Sequence, residues 1–177
     1  MLRFQEIKRS YLEFERELMR QGKLPMWDTG IGFWHGSNCD EIFELFKRIK
    51  LGGYKDFLDL GSGDGRVVLI ASLFTKATGI EIDRKLFEKA EEIKAGLSIK
   101  NVTFYNKNYY VHNISEHDII FVSPDSPMHR GLETKLVGEL KGMLIVNGPH
   151  FHPTLLIREK ELWINDNFSA VYIKNYL

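Results

Sequence analysis

The sequence predicts an α/β fold: a doubly wound, mostly parallel sheet, with a C-terminal antiparallel hairpin strand and an N-terminal helical extension. Three observations carry this. Beyond residue 55, short apolar runs alternate with amphipathic helical stretches. A glycine-rich turn, Gly61-Ser62-Gly63-Asp64-Gly65, joins the first apolar run to the first of those helices. Near the C-terminus the pattern changes to alternating apolar and polar residues on either side of Asn165-Asp166-Asn167, a turn signal.

The elements follow in order. Phe4, Ile7, Tyr11, Phe14 and Leu18 recur at steps of three and four, so the N-terminus reads as a helix that stops at Gly22 before Pro25. The stretch from Leu24 to Asp40 reads as irregular, rich in glycine and carrying Trp27, Phe33, Trp34 and His35. A second helix runs through Glu41–Ile49, with Asp40 or Ser37 available as its cap. Strands are expected at Asp56–Leu60, Ala77–Ile82, Val102–Tyr105, Asp118–Val122 and Met143–Val146. Helices are expected at Gly65–Phe74, Arg84–Ala95 and His129–Leu140. Strand–helix alternation implies right-handed crossovers and helices on both faces. Glu161–Ile164 and Ser169–Ile173 form the closing hairpin.

Composition narrows the function. A length of 177 residues suits a single domain over 1–177, divided into an N-terminal helical cover (1–54) and a cofactor-binding core (55–177). Lys+Arg and Asp+Glu are equal at 24 each, spread evenly along the chain, which argues against a protein that holds nucleic acid by charge alone. A single cysteine, Cys39, excludes an intramolecular disulfide and a multi-cysteine zinc site. No apolar run approaches the ~20 residues of a membrane span. The charged first residues show no secretory apolar core, so a cytoplasmic location is the expectation.

The informative segment is Phe57–Arg66. Glycines at a strand–helix turn permit positive φ and let a ligand approach the backbone, and a helix start offers free N–H groups. Two details specify the ligand. The dinucleotide fingerprint needs its third glycine where this chain has Arg66. Asp59, two residues before Gly61, would repel a pyrophosphate and attract an ammonium group. S-adenosylmethionine carries both an α-amine and a sulfonium. Glu81 ends the next strand twenty residues after Gly61, where a carboxylate accepts ribose hydroxyls, with Ile82 beside it. Asn108, after the third strand, can read an adenine amino group through its amide oxygen. Asp83 is either solvent-facing or a helix cap.

Asp-Leu-Gly-Ser-Gly-Asp-Gly-Arg (59–66) followed by Gly-Ile-Glu-Ile-Asp (79–83) resembles the first two motifs of class I, seven-strand, Rossmann-like S-adenosylmethionine-dependent methyltransferases. The resemblance covers about two-thirds of the chain, from about Lys55. It implies S-adenosyl-L-methionine as cofactor, with Asp59, Gly61, Gly63 and Gly65 at its methionine end, Glu81 at the ribose and Asn108 at the adenine; Ser62 and Ile82, within the same motifs, are further cofactor-binding candidates. Within that family, the 59–66 block together with Asp118–Val122, Leu132–Leu136 and Glu139-Leu140 is similar to small archaeal protein-lysine methyltransferases. Where that subgroup carries Tyr-Val-Pro-Thr-Pro, this chain has Asp28–Trp34.

The mouth after the fourth strand, Ser123-Pro124-Asp125-Ser126-Pro127, departs at three of four positions from the Asn/Asp-Pro-Pro-aromatic motif of base-amine methyltransferases. Asp125 and Ser123 are therefore the catalytic candidates, Asp125 orienting an amine or relaying its proton. Trp27, Phe33, Trp34 and Phe151 are candidates to line an acceptor channel. His150 and His152 lack a third partner in sequence, so no metal is expected. The leading expectation is N-methylation of a protein lysine. Methylation of RNA or a small molecule, and a non-catalytic adenosylmethionine- or nucleotide-binding module, stand as alternatives.

Overall fold

The computed structural model describes residues 2–30 and 32–175. Ile31, within the Asp28–Trp34 stretch, lies outside the described residues. The chain opens with helix α1 (Leu2–Arg20). Its apolar stripe is buried: Phe4, Ile7, Tyr11 and Leu18 all face the core.

The stretch expected to be irregular contains a short antiparallel hairpin, β1 (Met26–Asp28) and β2 (Phe33–His35). Three-residue strands are too short to leave a period in the sequence. Helix α2 (Cys39–Arg48) is capped by neither Ser37 nor Asp40. Asn38 takes that role, its Oδ1 accepting the N–H groups of Asp40 and Glu41 at 2.9 and 3.3 Å.

The main sheet has seven strands in the order β5-β4-β3-β6-β7-β9-β8. They are β3 (Asp56–Leu60), β4 (Lys76–Glu81), β5 (Val102–Asn106), β6 (Ile119–Val122), β7 (Met143–Asn147), β8 (Ile157–Ile164) and β9 (Asn167–Ile173). The first five pair in parallel. β9 inserts between β7 and β8 and runs antiparallel to both. The three helices between strands are α3 (Arg66–Ala71), α4 (Arg84–Gly96) and α5 (Leu132–Glu139). α3 is shorter than its apolar pattern suggests. A 3-10 turn (Met128–Arg130) replaces the expected first turn of the α5 helix.

Two apolar layers sandwich the sheet. Phe57, Phe121, Ile145 and Val171 point toward α1, α2, α3 and α4, with Phe46 packed edge-on against Phe57 and Phe121. Leu58, Ile120, Leu144 and Tyr172 point the other way, toward α5. The alternation is the period of two of a strand buried on both faces. Parallel pairing brings the C-terminal ends of β3, β4, β5, β6 and β7 to one rim, where the functional residues collect.

Candidate active site

A cavity of about 300 Å³ opens at this rim. Its floor is Leu60, Gly61, Glu81 and Ile82, from the ends of β3 and β4. Asn108, Tyr109 and Tyr110 close one side, and Ser123–Pro127 with Met128 and Leu132 the other. Phe33 and Trp34 of the N-terminal hairpin form the roof.

The glycine turn is held from within. Gly61, Gly63 and Gly65 have φ of 79°, 55° and 81°, a region that side chains other than glycine rarely adopt. At Gly63 an added Cβ would lie 2.6 Å from the Trp34 ring, and at Gly65 it would meet Phe104 and Ala90. Above Gly61 there is nothing within 4 Å. Four N–H groups of the turn have internal partners. Those of Gly61 and Ser62 both donate to the Ile80 carbonyl, that of Gly65 to the Ser62 carbonyl, and that of Gly63 to Glu81 Oε2 at 2.7 Å. With those four donors committed, what the turn offers at Gly61 is a bare surface for close approach.

Asp59 is 3% exposed; its backbone lies in the sheet ladder, and no hydrogen bond among the described residues reaches its carboxyl. Burial, reinforced by Glu81 and Asp64, pushes its pKa well above the usual carboxylate range. Such a carboxyl is poised to ionise against an incoming cation. Glu81 also lies deep, at 7% exposure, and burial raises its pKa, partly offset by the N–H groups of Asp83 and Gly63. Its Oε1 accepts from Asp83 N–H at 2.7 Å, so one carboxylate pins both the turn and the start of α4. Asp83 itself caps α4, accepting from Leu86 N–H at 2.9 Å.

Other candidates fall differently. The Ser62 hydroxyl is buried without a partner beneath Gly79, away from the cavity lining. Asn108 lines the cavity, but its Oδ1 already accepts from Tyr110 N–H at 2.9 Å. What Asn108 holds unspent is its NH₂ group, a donor suited to a ring nitrogen. Asp125 Oδ2 accepts from Phe33 N–H at 2.6 Å, tying the hairpin across the cavity. Trp27 packs behind Trp34 at a ring distance of 4.3 Å, and Phe151 lies outside the lining. His152 bonds Tyr172 and the Gly148 carbonyl. The Cys39 thiol is buried, which raises its pKa to about 11, far from a nucleophile's range.

Two features escaped sequence reasoning. Tyr109 and Tyr110, with tilted rings 4.7 Å apart, supply an aromatic wall; their only signal is adjacency just after a strand end. Arg66 is 4% exposed and binds Asp64 through Nε and Nη2 and Glu15 through Nη1 at 2.7 Å, which locks α1 to the glycine turn. Burial opposes its charge, but Asp64 and Glu15 outweigh that and raise its pKa. The Tyr11 hydroxyl adds a bond to the Asp64 carbonyl at 3.0 Å.

The family model described as histone methylation protein DOT1 matches residues 33–162, from the hairpin into β8. The chain belongs to the DOT1 family. Solved structures of the same fold include an RNA methyltransferase from Salinibacter ruber in complex with S-adenosyl-L-homocysteine. It has a TM-score of 0.70 and 19% identity, covering 80% of this chain and 95% of that one. MtNAS in complex with S-adenosylmethionine has a TM-score of 0.65 and 16% identity, covering 77% of this chain and 62% of that one. The ribosomal protein L11 methylase of Lactobacillus delbrueckii subsp. bulgaricus has a TM-score of 0.63 and 13% identity, covering 80% and 81%. No curated protein sequence matches. By family and fold, this DOT1-family chain is an S-adenosylmethionine-dependent methyltransferase. No described helix is long and apolar enough to cross a membrane.

Proposed function

We propose that this DOT1-family chain N-methylates a lysine side chain of a protein, in the manner of the protein-lysine methyltransferase subgroup it resembles. One observation carries the reading. Phe33, Trp34, Tyr109 and Tyr110 line the cavity together with the carboxylates Glu81 and Asp125, and among the described side chains no lysine or arginine joins them. Aromatic walls suit the aliphatic stem and cationic head of lysine, whereas a nucleic acid needs cations for its phosphates. The family's description as histone methylation proteins and the balance of 24 basic and 24 acidic residues point the same way.

The cofactor fits the residues present. Asp59 supplies an orphan carboxyl for an α-amine, Gly61 the open surface for close approach, and Glu81 retains lone pairs for ribose hydroxyls. Ile82 and the Asn108 amide face the position of the base. Gly63 and Gly65 shape the turn, and Ser62 acts through packing beneath it. Bound S-adenosylmethionine supplies an electrophilic methyl group on a sulfonium.

The protein has little covalent work to do beyond placing a neutral amine on that methyl. The nitrogen lone pair would take the methyl while the C–S electron pair stayed on sulfur. The aromatic, partly dry cavity disfavours the ammonium form and so frees the lone pair. Ser123 and Asp125 stand at the acceptor end, to receive the amine's N–H groups and the proton it sheds.

Tritiated methyl transfer from S-adenosylmethionine to a cell extract tests the acceptor. Label that survives ribonuclease, is lost to protease and appears as methyl-lysine after hydrolysis is the expected outcome. Label lost to ribonuclease would reassign the acceptor to RNA, and label in neither polymer to a small molecule.

A further inference from the structure

We propose that Asn147 is a positioning residue for the methyl-transfer step, acting through Ser123. Ser123 follows β6 and Asn147 ends β7, and the pairing of Val122 with Val146 sets the two side by side. The Asn147 Nδ2 donates to Ser123 Oγ at 3.1 Å. On its other side, Asn147 Oδ1 accepts from Asn167 Nδ2 at 2.9 Å and from the fully buried Ser169 Oγ at 3.0 Å. With two donors on its oxygen, the Asn147 amide has one orientation, NH₂ toward Ser123.

The consequence lies in the cavity. Ser123 lines it and Asn147 does not. Because Asn147 donates, it occupies one lone pair of Oγ and leaves the hydroxyl hydrogen unspent. Ser123 therefore offers the cavity one lone pair and one hydrogen. The lone pair takes an N–H of the acceptor amine, and the hydrogen is directed to an acceptor in the same wall, where Asp125 is the carboxylate. Three neighbouring strands thus fix the sense of a single hydrogen bond at the acceptor end. This rests on the amine acceptor proposed above.

Asn147→Asp reverses the bond. The carboxylate still accepts from Asn167 and Ser169, which preserves the rim, but it also captures the Ser123 hydrogen. The rate of tritiated methyl transfer is measured on whichever extract fraction the wild type labels, beside S-adenosylmethionine affinity by calorimetry and thermal midpoint. We expect kcat to fall roughly tenfold, the loss of one well-placed hydrogen bond, with cofactor affinity and midpoint unchanged. Ser123→Ala should fall by a similar factor, and Asn147→Asp should add nothing in the Ser123→Ala background. An unchanged kcat in Asn147→Asp overturns the proposal. So does a further loss in the Ser123→Ala background, which would assign the effect to charge or packing. Asn147→Ala gives the same reading without an added charge. Wild-type label removed by ribonuclease would overturn the lysine reading while leaving the ratio of variants measurable.

Discussion

The two walls of the cavity are built differently. On the proposed cofactor side, Glu81 is nearly inaccessible and Asp59 lies buried behind the lining, the N–H groups of Gly61, Ser62, Gly63 and Gly65 have internal partners, and Trp34 and Phe104 crowd the glycines. On the acceptor side, Ser123 and Asp125 are not buried, Phe33 is 51% and Tyr110 41% exposed, and one bond from Phe33 N–H to Asp125 spans the gap between hairpin and sheet. The difference teaches that binding the same cofactor each turnover calls for a preorganised surface. An acceptor arriving on another molecule calls for one that opens at small cost.

The largest expected effect attacks the buried wall. Asp59→Asn removes the carboxylate that an α-amine needs, and S-adenosylmethionine affinity should fall by roughly 10- to 100-fold in calorimetry. The same change should raise the thermal midpoint of the unliganded protein by about 2–4 °C, because the unfolded chain no longer gains by ionising this acid. The pH dependence has a definite sign. Burial favours the protonated form of Asp59 in the unliganded fold, a cationic ligand favours its ionised form, and binding should therefore be coupled to release of a proton. Wild-type affinity should rise with pH, by up to about tenfold per unit below the raised pKa, and this slope should flatten in Asp59→Asn. A slope that persists unchanged would move the coupling to Glu81.

A smaller effect tests whether the turn and the roof are one unit. Gly63→Ala places a methyl against Trp34 at a positive φ, and should cost about 1–3 kcal/mol of stability. Trp34→Ala should relieve part of that loss. Strict additivity of the two changes in denaturant melts would show the walls to be independent.

The smallest effect touches only the exposed wall. Asp125→Ala cuts the tether to Phe33 and removes the carboxylate at the acceptor end; it should raise KM for the acceptor by about three- to tenfold and lower kcat, with cofactor affinity unchanged. Loss of cofactor affinity in this variant would erase the distinction between the two walls.

How much was legible follows from range. The alternation of Phe57 with Leu58, and of Phe121 with Ile120, encodes a strand buried on both faces, and glycine spacing around Asp59 encodes the turn. Both are local signals, readable within a few residues. The two hairpin strands, the Asn38 cap and the short α3 were not visible, because three-residue elements and competing caps are decided by what packs on them. Trp27 and Phe151 looked like partners of Phe33 and Trp34 by residue type alone. One stands behind Trp34, and the other lies off the cavity.

The sequence by itself determined the fold class and the places of Asp59 and Glu81 near the ends of neighbouring strands, since strand periodicity and a glycine turn suffice to place them. Only the tertiary structure decided that four of the turn's N–H groups have internal partners, that Tyr109 and Tyr110 wall the cavity, and that Arg66 locks α1 to the turn. The link from Ser169 through Asn147 to Ser123 belongs to the same class. Each depends on which distant residues meet. Sheet register and helix docking set those meetings, and neither is written in any one segment of the chain.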